Sequence, residues 1–493
     1  MIKKTINTVL LAAMLLAVGC TKDFEELDRP KTASDIIAPD ALFTRALVTG
    51  SGMSAGVWQW KHQISGSVYA QHLANIQTGP NFTADNYEPR AWNVVWNWYY
   101  ATSGFAPLHY NWHVIKLSRE LENPIKEAIA RVWNVYMIQQ ITDMYGDMPV
   151  FEAFESLRPR FDPQKDIYMF MLAELKDAVE MLDEFEEFGF EGYGQSDVLF
   201  NGNQESWVRF ANTMILRIGL RASNTAEFNN DVLPYIQGVD LQRTITTNNQ
   251  MVKIYPHAGG RTYHVENPIR FVKNWNEVRL SKTMFDILDL HNDPRLQVYA
   301  DTNVFGEYAG LPNGQPHGLL SEQFDTYFRP NYSNIGSFFA EPNTPLFMLT
   351  AAESAFLKAE AAHRGFITGS AEEYYNEGIR LSFEQFQITE EQIVSDYLTG
   401  EAAFDPAEAL EQIWTQRWVA LYPNGHEAWS LVRRTGHPQM MEPVFTFPDN
   451  DQMPRRKLYP DAERLYNSAN YESAVSRMGG DSQYTRVWWD GGN

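Results

Sequence analysis

The stretch TAAESAFLKAEAAHRGFITGSAEEYYNEGIRLSFEQF, residues 350–386, decides how the rest of the chain is read. Thr350 with Glu353, and Ser370 with Glu373, each place a hydroxyl three residues before a carboxylate. That is the pattern of a capping box closing over the free backbone N–H groups of a helix start. After the first cap, Ala352, Phe356, Ala359 and His363 recur three or four apart, and after the second Tyr375, Ile379, Phe383 and Phe386 do the same. Each helix is therefore expected to bury one stripe. Gly365 and Gly369 bracket the turn, and Ala359, Ala361 and Ala362 keep side chains small where a partner helix approaches. A lone helical hairpin cannot bury its own apolar face, so further hairpins should stack upon it.

Working outward, paired helices recur. The spacing predicts helices over 109–121 and 124–145, with Pro124 in a first turn, then over 163–185 and 204–222, and beyond the central hairpin over 406–422 and 425–434. Residues 56–75 read as one helix carrying Trp58, Trp60, Ile64, Val68 and Leu73. The stretch 224–345 differs in kind: it mixes Gly, Pro and Asn with short apolar pieces, and 281–290 is its one convincing helix. The tail 439–493 reads as mostly irregular. The expected fold class is mainly α, a tetratricopeptide-like helical-hairpin scaffold with a loop-rich, irregular ligand-binding region.

The chain has 493 residues and a single cysteine, Cys20, so no intramolecular disulfide can form. Lys3 and Lys4 precede an apolar run, Val9 to Val18, too short to span a bilayer as a helix, and Ala17-Val-Gly-Cys20 follows at once. This resembles a bacterial lipoprotein signal. It implies cleavage before Cys20, acylation of that thiol, a tether over 20–39 and one domain over 40–493. The acidic cluster Asp23-Phe-Glu-Glu26 resembles the surface-export signal of Bacteroidetes lipoproteins, so an outer-membrane, lipid-anchored, cell-surface location is expected. Residues 1–19 hold two lysines and no acids, so their removal leaves 40 − 2 = 38 basic against 62 acidic side chains, a formal charge of −24. Such a surface repels phosphate backbones and makes nucleic acid a poor partner.

Several motifs, in order, are similar to those of the SusD/RagB family of outer-membrane nutrient-binding lipoproteins, in particular its SusD-like branch with a tryptophan-rich C-terminus. They include Cys20, Ile141-Thr-Asp-Met-Tyr-Gly-Asp-Met-Pro149, Asn292-Asp-Pro-Arg-Leu296 and Leu349-Thr-Ala-Ala-Glu-Ser-Ala-Phe-Leu-Lys-Ala-Glu-Ala361. Trp414-Thr-Gln-Arg-Trp-Val-Ala-Leu421, Glu427-Ala-Trp429, Arg433-Arg-Thr-Gly436, Met453-Pro-Arg-Arg456 and Val487-Trp-Trp-Asp490 continue the series. The resemblance implies a glycan-binding protein that captures oligosaccharides and hands them to a SusC-like, TonB-dependent outer-membrane transporter. The same architecture resembles peptide-binding members, which leaves a peptide ligand as the alternative and a surface glycosidase as a more remote one.

Read from the residues alone, the motifs have structural roles. In Asp293-Pro294-Arg295 the proline fixes a turn and the charges bond locally, while Arg433 and Arg434 complement a helix C-terminus. Glu353 and Glu360 suggest a carboxylate pair, yet the first belongs to its cap and a scaffold helix offers no cleft. There is no Gly-rich phosphate loop, no His-Glu-x-x-His and no nucleophile elbow. His109 and His113 stand four apart, a spacing that suits a metal pair, but without a nearby third ligand they read as helix-surface or core residues. No enzyme activity, cofactor or metal is expected.

A sugar ring offers an apolar C–H face and a rim of hydroxyls, so its site needs flat aromatic rings beside amides. One stretch, 81–98, holds Phe82, Tyr87, Trp92, Trp96 and Trp98 beside Asn86, Arg90 and Asn93. A second, over 270–276 and 327–339, holds Trp275, Tyr332, Phe338 and Phe339 beside Asn274, Asn276 and Asn334. The helical spacing of Trp92 and Trp96 favours burial. Turn or loop contexts favour exposure of Tyr87, Trp98, Trp275 and Tyr332, and these four with Asn276 are the expected ligand-binding residues.

Overall fold

The computed structural model describes residues 39–77, 82–89, 94–100, 106–256, 267–314, 329–447 and 452–492. Cys20, the expected signal and the expected tether up to residue 38 lie outside the described residues, as do Arg90, Trp92 and Asn93, while Pro39 already begins the first helix. Helices dominate. The first is α1 (Pro39–Gly50), and β1 (Leu73–Asn75), α2 (Val94–Tyr100), α3 (Pro107–Glu120) and α4 (Pro124–Tyr145) follow. Next come α5 (Gln164–Glu184), α6 (Gln204–Arg221), β2 (Val252–Ile254), α7 (Pro268–Trp275), β3 (Val278–Leu280), α8 (Lys282–Leu290) and β4 (Leu346–Leu349). The chain closes with α9 (Ala351–His363), α10 (Ala371–Gln385), α11 (Glu391–Thr399), α12 (Ala409–Ala420), α13 (Gly425–Thr435) and α14 (Ser468–Met478).

The stacking order is continuous: α1 packs on α3, α3 on α4, α4 on α5, α5 on α6, and α6 on α9, which in turn holds α10 and α12. Side-chain caps set where helices begin. Asn123, Asn203, Thr350 and Ser370 each accept a bond from the amide three residues on. The four expected hairpins are therefore present to within a few residues.

Four details depart from the sequence reading. The α9 helix buries every side chain from Ala351 to Ala361 instead of one stripe, because it is wedged between α6, α10 and α12. Residues 56–75 are not one helix: Ala55–Trp58 gives way to a wide π-helical run, Gln59–Gly66, then to Ser67–Tyr69, and the chain extends into β1. Residues 224–345 contain α7 as well as α8, and the tail forms α14 and a short turn of helix, Asp461–Tyr466. Tail side chains return to the core, where Trp489 is fully buried and the Arg433 guanidinium lies over both the Trp429 and Trp489 rings.

The two small sheets are antiparallel pairs, β1 with β3 and β2 with β4. Both tie the loop-rich region to the helical stack. No described helix is long and apolar enough to cross a membrane.

Candidate functional site

The α7 helix starts where Asn267 accepts from the amide of Ile269 and donates its own amide to the carbonyl of Phe339. Pro268 occupies the first turn, where a missing N–H costs nothing. Pro268, Ile269 and Val272 are buried, which turns the other face outward: Phe271 is 37% and Trp275 40% exposed, and Asn274 is exposed beside them. One turn apart, the two rings sit with centroids 6.4 Å from each other. Asn276 ends the helix at φ +61, a left-handed position that asparagine tolerates, and its Oδ1 accepts from Arg279 Nη2 at 2.6 Å.

The next residues form β3, whose Val278, Arg279 and Leu280 pair with Asn75, Ala74 and Leu73. The amides of Ile76 and Gln77 both donate to the carbonyl of Glu277. The Glu277 carboxylate, two residues beyond Trp275, accepts from Gln59 Nε2 at 2.7 Å and Gln63 Nε2 at 2.8 Å. The wide-turn segment thus supports the end of the sheet from behind.

A third strand-like piece adjoins β3, since the Leu280 amide donates to Ser333 O. It brings Tyr332 onto the small apolar cluster of Ala74, Ile76 and Leu311, and Asn334 Nδ2 donates to the carbonyl of Lys273 on α7. Lys273 pairs with Asp301, and both reach the Ser337 hydroxyl. Trp275, Asn276 and Tyr332 therefore flank the same two-stranded sheet, although residue 275 and residue 332 are far apart in sequence. The site joins amides to partly exposed rings, a donor and acceptor set suited to hydroxylated ligands.

The other two rings stand elsewhere. Tyr87, at φ +58, is 4% exposed, and its carbonyl accepts from Gln483 of the C-terminal tail. Trp98 is half-buried, packs against the core and donates its Nε1–H to the carbonyl of Thr49 on α1. The expected exposure therefore fails for Tyr87, whose ring is buried, and is reduced for Trp98, whose ring a distant helix anchors through its N–H. Trp96 is buried as its spacing implies.

Beneath Tyr87, the buried Asp85 carboxylate accepts from the Asn75 amide, Asn313 Nδ2 and the Gly314 amide, pinning the 82–89 loop to β1. Burial pushes its pKa up to about 7, against the opposing pull of those hydrogen bonds. Four residues of the patch were not singled out from sequence. Phe271 carries a signal, its i,i+4 spacing to Trp275, whereas Gln59, Gln63 and Glu277 meet only through tertiary structure.

Among the described residues one group of three possible metal ligands converges: Asp143, His426 and Glu427, all buried. Arg221 pairs with both carboxylates and sits over the Trp489 ring. Its guanidinium supplies the charge that a cation would bring, and the cluster reads as a structural ion network.

The sequence matches the SusD-like family described as "Starch-binding associating with outer membrane" over residues 30–460. Among curated proteins none matches. A solved structure named as a chitin-binding protein is similar at 25% identity and a TM-score of 0.78, covering 92% of this chain and 100% of that one. A chitin-binding SusD homologue from Flavobacterium johnsoniae is similar at 24% identity and a TM-score of 0.76, with 92% and 98% covered. A SusD homologue from Bacteroides vulgatus matches at 23% identity and a TM-score of 0.79, with 91% and 97% covered.

Proposed function

Since the chain belongs to the SusD-like family of starch-binding proteins associating with the outer membrane, we propose that it captures an oligosaccharide on the Trp275 patch without cleaving it. The observation that carries this reading is the pair of exposed rings, Phe271 and Trp275, beside Asn274 and Asn276 at the mouth of the β1–β3 sheet. Rings take the apolar faces of successive sugars and the amides take their hydroxyls. Tyr332, packed on Ala74, Ile76 and Leu311 beside the same sheet, extends the surface. Tyr87 and Trp98 contribute through the loops and helices that they hold in place. The acidic surface disfavours strongly anionic glycans, and the starch-binding family and the chitin-binding neighbours support neutral chains of the starch or chitin kind as the ligand class.

In this reading acylated Cys20 tethers the protein to the outer membrane at the cell surface, and bound glycan passes to a SusC-like, TonB-dependent transporter. The test is calorimetric titration with malto- and chito-oligosaccharides, beside Trp275→Ala. One of the two series binds, Trp275→Ala weakens it by ~1–3 kcal/mol, the scale of a stacked ring, and no shorter product accumulates. Unchanged affinity in Trp275→Ala would remove the patch from the reading. Product release would replace capture with hydrolysis.

A further inference from the structure

On α3, away from the Trp275 patch in sequence and in secondary-structure element, His109 and His113 face each other with their Nε2 atoms 3.1 Å apart. The ring centroids are 4.6 Å apart and the planes are tilted by 55°. In one ring the Nε2–H donates, and in the other the Nε2 lone pair accepts. Burial lowers both pKa values below the ordinary imidazole value, with His113 adding to the effect on His109 and Lys116 to that on His113. Both rings are thus neutral at neutral pH and carry lone pairs that need not first shed a proton.

The surroundings fix the rings. His109 lies 4.9 Å from the Phe154 ring and 6.2 Å from Trp112, and His113 meets Trp112 edge-on at 4.8 Å. Phe154 reaches His109 from a backbone at φ +66, a conformation that costs free energy in a residue with a bulky side chain. Two nitrogens bound at ~2.0–2.1 Å to a tetrahedral or square-planar ion stand roughly 2.9–3.4 Å apart, and the observed separation falls in that interval.

We propose that His109 and His113 form a two-histidine site for a borderline divalent transition metal of the Zn²⁺, Ni²⁺ or Cu²⁺ type. The ion takes the place of the shared proton. The donating ring moves its proton from Nε2 to Nδ1, so both Nε2 lone pairs meet the metal and no proton leaves the protein. Among the described residues no third His, Cys or carboxylate converges there, so water or a donor atom of an incoming ligand fills the remaining positions. Lys116, with its ammonium 5.4 Å from the Trp112 ring, opposes the ion's charge and holds the affinity to a modest level.

The test is Zn²⁺ titration of the full chain by calorimetry, with H109Q, H113Q and, as a control, H363Q, whose histidine is exposed at the end of α9. The expected result is one saturable site, weakened at least about tenfold in H109Q and in H113Q and unchanged in H363Q. With Cu²⁺, electron paramagnetic resonance should show two equatorial nitrogens that fall to one in either variant. Far-UV circular dichroism establishes that each variant is folded. Absence of saturable binding up to about 1 mM zinc, or wild-type affinity in folded H109Q and H113Q, would overturn the assignment.

Discussion

The amide of Glu353 donates to Thr350 Oγ1 and closes the cap of α9, while its carboxylate, 1% exposed, accepts from both Arg217 and Arg417. Sequence reading accounts for the first bond alone. The local spacing of Thr350 and Glu353 advertises a cap, whereas Arg217 and Arg417 arrive from α6 and α12, and nothing near residue 353 announces them. The two roles separate by mutation. Glu353→Ala keeps the capping amide and strands two buried guanidinium groups, an expected cost of ~3–5 kcal/mol, whereas Thr350→Ala removes only the cap, at about 1 kcal/mol. Urea denaturation midpoints measure both; equal losses would mean that the ion pairs add nothing. The same limit governs the candidate site. Trp275 and Asn276 are legible as an exposed aromatic beside an amide, but they are read as loop residues, and the helix that they end, α7, is not foreseen. Tyr87 and Trp98 are misread because Gln483, which donates to the Tyr87 carbonyl, and Thr49, which anchors the Trp98 ring, lie hundreds or tens of residues away.

The helical hairpins were legible because caps and a 3.6-residue period are local signals, and each survives packing with its ends almost unmoved. The 55–69 segment was not. Its apolar residues fit a regular helix, but Gly66 touches the start of α13, and the run before it is wound wider. A Cβ on Gly66 would stand 2.8 Å from the carbonyl carbon of Gly425 and 2.8 Å from the amide of His426, both backbone atoms that cannot step aside. Gly66→Ala should therefore destabilise the protein by ~1–3 kcal/mol. Gly56, the second residue of the same segment, has open space around its missing Cβ. Gly56→Ala should stabilise by ~0.4–1 kcal/mol by restricting the unfolded chain. Thermal melts of the two variants should move in opposite directions, and an unchanged or raised melt in Gly66→Ala would show that the fold does not depend on this close approach to α13.

Lys61 and Lys457 lie inside the molecule, and burial pushes both down to about 7, with Lys61 adding to the effect on Lys457. Lys457 donates to the carbonyl of Trp60 at 3.1 Å. The sign follows from proton counting. Between about pH 7 and pH 10 the unfolded chain still holds a proton on each lysine that the folded protein has released, so their contribution to stability rises with pH across that window. Net acidity and the buried tyrosines act on the same curve, so the difference between wild type and Lys457→Met isolates one lysine. Wild type should gain on the variant from pH 7 to pH 9.5 in denaturation midpoint; a constant difference would mean that Lys457 stays charged. Such buried charges are invisible in a composition that reads as acidic throughout. The β1–β3 pairing carries a different kind of consequence, one of timing. Residue 73 must wait for residue 280, and the strand that brings Tyr332 must wait longer still, so the patch cannot exist on a partly synthesised or partly folded chain. If the patch holds glycan as proposed, recognition becomes a proof of completion: only a molecule whose two halves have already found each other can hold its cargo.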